Sequence, residues 1–147
     1  MSDSTKIFVC FEPHYQGCAE RLDAWVHTNH DRASYNRRLD VPVDSPAAEA
    51  IKDVLRGQIQ AADVTVCLIS QSTHADEWIA WELETSKSGP SRNGLVGVVL
   101  HEFDSHPPAM VDSGAIFVSF KQDAMERAIE WALRERHTSD DFTLLDD

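Results

Sequence analysis

The sequence predicts an α/β domain built on a parallel sheet with helices on both faces. Three observations carry this: short apolar runs recur along the chain, amphipathic helical segments separate them, and the whole pattern fits within 147 residues. Parallel neighbours need a crossover, and each crossover helix covers a face of the sheet. At 42% hydrophobic residues the chain has enough apolar material for one core, and its length suits one compact domain.

Lys6–Phe11 (KIFVCF) is the first run, short and continuously apolar, as expected of a strand covered on both sides. Cys18, Leu22, Trp25 and Val26 follow at helical spacing and predict one helix face laid on the sheet. Asn29–Asp44 is polar, carries Arg32, Arg37 and Arg38, and has no convincing period, so a second strand within it has no assignable ends. Ser45 followed by Pro46 reads as a helix start, because the serine oxygen can accept an orphan amide and proline needs no donor there. Ile51, Val54, Leu55 and Ile59 then mark a buried face.

Val64–Ile69 (VTVCLI) is β-branched and apolar on both parities, which predicts a central strand. Asp76 is placed to cap the next helix, through Trp78, Trp81, Glu82 and Thr85, until Gly89 and Pro90 stop it. Leu95–Leu100 (LVGVVL) is another buried strand, and His101–Ala115, with Pro107 and Pro108, is an excursion at the end of the sheet. Ile116–Ser119 reads as the last strand. Ser119 with Gln122 forms a capping-box pattern ahead of a stripe of Met125, Ala128, Ile129, Ala132 and Leu133. Residues 1–137 form the predicted domain, and 138–147 an acidic, disordered tail.

The formal net charge of −12 argues against nucleic-acid and anionic-membrane partners. Any phosphate-bearing ligand must be held by local groups. The three cysteines are odd in number, and Cys10 and Cys67 sit in apolar runs, so they read as reduced core thiols. The seven histidines and three cysteines show no ligand-like spacing, and no metal is expected. The polar start lacks the apolar core of a secretory signal, and no run is long enough to span a bilayer, so a cytoplasmic location is expected.

The natural topology is a flavodoxin-like, doubly wound sheet of about five strands. In such sheets ligands bind beyond the carboxyl ends of the strands, at the switch point between the first and third. That brings together FEPHY (Phe11–Tyr15) and SQSTHADEW (Ser70–Trp78). Trp78 and Glu82, four residues apart, share one helix face.

The segments IKDVLRGQIQ, VTVCLIS, WIAWELETS and GLVGVVL, with the opening KIFVCFEPHY, resemble the TIR-like family represented by the NAD-processing (ThsB-type) subunit of Thoeris antiphage systems. In TIR enzymes the catalytic glutamate lies four residues after a tryptophan, and WIAWE repeats that spacing from Trp78 to Glu82. The loop glycine common after the preceding strand is Ser70 here. The resemblance implies a NAD+ nucleosidase or ADP-ribosyl cyclase, with Glu82 catalytic and NAD as substrate rather than resident cofactor. It implies substrate contacts from Phe11, His14, Tyr15, Ser70, His74 and Trp78. Arg37 and Arg38 either neutralise the pyrophosphate or form a solvated basic turn.

The chemistry suits those residue types. Nicotinamide is cationic in NAD and leaves neutral, so the charge needing stabilisation develops on the ribose, where a carboxylate can act. An indole face on the charged ring would add about 0.5–2 kcal/mol. A hydrolysed, cyclised or conjugated ADP-ribose product would reach a separate effector, with self-assembly and a phage-derived activator as further expected partners. The alternative is a non-catalytic interaction module, in which Trp78 and Trp81 serve packing and Glu82 is an ordinary solvated acid.

Overall fold

In a computed structural model, residues 6–12, 15–25, 41–88, 92–101, 106–135 and 142–143 are described. Their elements are β1 (Ile7–Cys10), α1 (Gln16–Trp25), α2 (Ala48–Ala61), β2 (Val64–Ile69), α3 (Glu77–Lys87), β3 (Gly94–Val99), β4 (Ile116–Ser119), α4 (Gln122–Glu135) and β5 (Phe142–Thr143). Single 3-10 turns at Thr73–Ala75 and Pro108–Met110 complete them. The strands form one parallel sheet in the order β1-β2-β3-β4-β5, with Cys10 opposite Cys67 and Val64 opposite Gly94.

Alternation along the strands divides the core in two. Ile7, Val9, Val66, Leu68, Val96 and Val98 face Leu22 of α1 and Met125, Ile129 and Ala132 of α4. Phe8, Cys10, Cys67, Ile69, Leu95 and Phe117 face Ile51, Leu55 and Ile59 of α2 and Ile79 and Leu83 of α3. α1 and α2 lie on opposite faces, so the sheet is covered on both sides as expected.

The strand expectations hold within a residue or two, and the differences have local causes. Ser45 does not cap α2: its hydroxyl donates back to the Pro42 carbonyl at 2.6 Å, closing a turn, and the helix begins at Ala48. Ile51, Leu55 and Ile59 are buried at a spacing of one turn, whereas Val54 falls off that line and is 38% exposed. The proposed capping box is absent, since α4 starts at Gln122 and that side chain turns forward to Glu126. Within the tail expected to be disordered, Phe142–Thr143 pairs with Ile116 and Phe117 as a two-residue edge strand. The polar stretch in which a second strand was expected falls largely outside the described residues, and its described end, 41–44, is not strand.

Gly94 is fixed by close approach, because a Cβ there would lie 2.5 Å from the Ala132 carbonyl oxygen of α4. Among the described residues no helix is long and apolar enough to cross a membrane.

Candidate active site

Because β1 and β2 are paired, the segments leaving their carboxyl ends are neighbours. Glu12, just beyond β1, joins them. Its Oε1 accepts hydrogen bonds from the hydroxyls of Ser70 (2.5 Å) and Thr73 (2.7 Å), and its Oε2 accepts one from Ser72 (2.7 Å). The Ser70 amide in turn donates to Thr73 Oγ1 at 2.8 Å. A carboxylate has only acceptors and hydroxyls can turn their protons toward it, so all three bonds are charge-assisted.

Thr73 opens the 3-10 turn, whose carbonyl accepts the Asp76 amide at 3.1 Å. Asp76 then caps α3 as expected, accepting the Ile79 amide at 2.9 Å. From there α3 turns Trp78, Ile79, Glu82, Leu83 and Ser86 inward. Its far end is fastened to the start of β2 by a 2.7 Å bond between the Ser86 and Thr65 hydroxyls, with Asn93 donating to Thr65 Oγ1 as well.

Glu82 is held between these two fastenings, one turn beyond Trp78, and exposes 0% of its surface. The Cys67 thiol is pushed well above its ordinary range, first by burial, then by the negative charges of Glu82, Asp76 and Glu12. The buried thiol, on the α2/α3 side of β2, thus lies within electrostatic reach of all three carboxylates.

Trp78 is 8% exposed and its indole N–H donates to the Val41 carbonyl at 2.8 Å. It meets Trp81 edge-on, with ring centroids 6.1 Å apart. Trp81 is half-buried beneath Lys52 and Arg56 of α2, each cation 5.6 Å from the ring centroid. In this arrangement Trp78 packs and anchors the chain at Val41, leaving little ring surface for stacking.

Of the residues anticipated for substrate, Ser70 and Trp78 are both buried, Trp78 on the α2/α3 side with Ile79 and Leu83. Tyr15 is half-buried, with its amide on the Glu12 carbonyl at 2.8 Å, and His74 is exposed on the 3-10 turn. Phe11 belongs to the core beneath α1 and α4, on the other side of the sheet from Trp78. His14, Arg32, Arg37 and Arg38 lie outside the described residues. Sequence reasoning passed over Glu12; the available signal was the hydroxyl-rich SQST beside it across the β1–β2 pair. Among the described residues no group of three or more His, Cys, Asp or Glu is arranged to hold a metal ion.

Comparison with curated proteins returned no match. A family model described as Thoeris protein ThsB, TIR-like domain, matches residues 8–105, a span holding β2, α3 and the carboxylates of Glu12, Asp76 and Glu82. The chain belongs to this TIR-like domain family.

Proposed function

We propose that this protein breaks the nicotinamide–ribose bond of NAD, with Glu82 stabilising the positive charge that develops on the ribose. The observation that carries the reading is Glu82 itself: a glutamate with 0% exposure, on the helix face that also presents Trp78. Withdrawing a carboxylate from water costs several kcal/mol, and active sites are where such groups cluster. Family membership supports NAD as the substrate class.

In the proposed reaction the bond from ribose C1′ to the nicotinamide nitrogen breaks, and its electron pair neutralises the pyridinium. The cationic sugar is then captured by water with loss of a proton, or by a nucleophilic atom of the same or another molecule. The product is an ADP-ribose derivative that signals to a separate effector in antiphage defence. Self-assembly and a phage-derived activator belong to the same proposal.

The test is NAD incubated with concentrated protein, with and without infected-cell extract, followed by mass analysis of the products. Wild type is expected to release nicotinamide and Glu82→Gln, nearly isosteric and uncharged, to lose about 10²-fold or more in kcat while keeping its fold. Equal turnover by the two proteins removes Glu82 from the role. The packed state of Trp78 favours one other reading, a non-catalytic interaction module. That reading predicts no nicotinamide release at any concentration and a partner recovered by pull-down.

A further inference from the structure

We infer that Glu12 is a positioning residue for Glu82, a role that rests on the NAD-cleaving reading above. Its carboxylate gathers the hydroxyls of Ser70, Ser72 and Thr73, residues 58 to 61 positions away in sequence. Ser70 and Thr73 are buried, so these hydroxyls have little access to water as a substitute acceptor.

The bonds form a continuous path. Glu12 orients the Thr73 hydroxyl, which receives the Ser70 amide; the Thr73 carbonyl receives the Asp76 amide; and Asp76 caps α3 at Ile79. Trp78 and Glu82 occupy the first two turns of that helix. Without the carboxylate the hydroxyls lose their charged acceptor, the 3-10 turn loses this tie to the segment after β1, and the first turn of α3 can shift while Ser86 still holds its far end. A displacement on the order of 1 Å at a reacting group costs about a hundredfold in rate.

Glutamine preserves most of this brace. Its amide oxygen can accept from Ser70 and Thr73, and its NH₂ can donate to a turned Ser72 hydroxyl. Alanine preserves none. Positioning therefore makes Glu12→Ala and Glu12→Gln behave differently, whereas direct use of the Glu12 charge makes them equally defective.

Two readouts are needed: NAD turnover, and hydrogen–deuterium exchange at the Ser70–Ile79 amides. Glu12→Ala is expected to lower kcat about ten- to a hundredfold with little change in KM, and to speed exchange at Ser70 and Ile79 about tenfold. Glu12→Gln is expected to stay within about threefold of wild type in both, a rescue that mere loss of packing would not show. Should Glu12→Ala not fold, Thr73→Val removes one hydroxyl at constant shape and is expected to move both readouts in the same direction. Unchanged kcat and exchange in these variants, or Glu12→Gln as defective as Glu12→Ala, overturns the inference while leaving the role of Glu82 intact. No nicotinamide release from wild type, with exchange still accelerated in Glu12→Ala, overturns the NAD reading and keeps the brace as a feature of the fold alone.

Discussion

Raising the pH tests the packing around Cys67. The thiol is fully buried and held well above its ordinary range by desolvation, then by Glu82, Asp76 and Glu12. In the unfolded chain a cysteine loses its proton near about pH 8.5. Above that value the unfolded state binds fewer protons than the native state, so stability falls as pH rises, until the folded thiol itself ionises. Between about pH 8 and about pH 10, where the unfolded thiol titrates first, the loss steepens toward about 1.4 kcal/mol for each further pH unit. Urea unfolding of wild type and Cys67→Ala at both values isolates this contribution, because the variant lacks the thiol but shares every other titration. The alanine protein is expected to be less stable at the lower pH, by about 1 kcal/mol for the small void, and to lose less stability than wild type on going to the higher one. Identical pH dependence in both proteins would refute the burial of the Cys67 thiol in this acidic surrounding.

Other substitutions probe the supports of the site. Gly94→Ala places a methyl 2.5 Å from the Ala132 carbonyl oxygen; pushing α4 from the sheet is expected to cost about 1–3 kcal/mol, read as a lowered Tm. Asp76→Ala removes the cap on Ile79 and is expected to cost about 1 kcal/mol, with Asp76→Asn near wild type in thermal unfolding.

The sheet was legible because its signal is local. Val64–Ile69 is β-branched or apolar at successive positions and Ile116–Val118 is apolar, as strands covered on both faces are, and both strands occupy the predicted spans. Helix starts were less legible, since short polar side chains near a helix have several partners available. Ser45 bonds backward to Pro42 where a cap was expected, while Asp76 does cap. The Trp78–Glu82 pair was readable from its spacing of four, and the shared inward face follows from helical geometry. Glu12 was not, because all three of its hydroxyl partners come from a segment distant in sequence and an isolated glutamate there resembles any surface acid. Phe11 was read as a pocket residue from its place after the strand, yet strand alternation turns it to the opposite face.

The register of β1 on β2 has a consequence for biosynthesis. Lys6 bonds to Asp63, 57 positions later, and Ile7 pairs with Val64. At about 5–20 residues per second, a nascent KIFVCF segment waits a few seconds before its β2 partner has even been translated. Throughout that interval an oily, β-prone hexapeptide is free to meet chaperones or other chains. Yield in cells is therefore expected to depend more on ribosome pace and holdase capacity than the finished domain's stability would suggest.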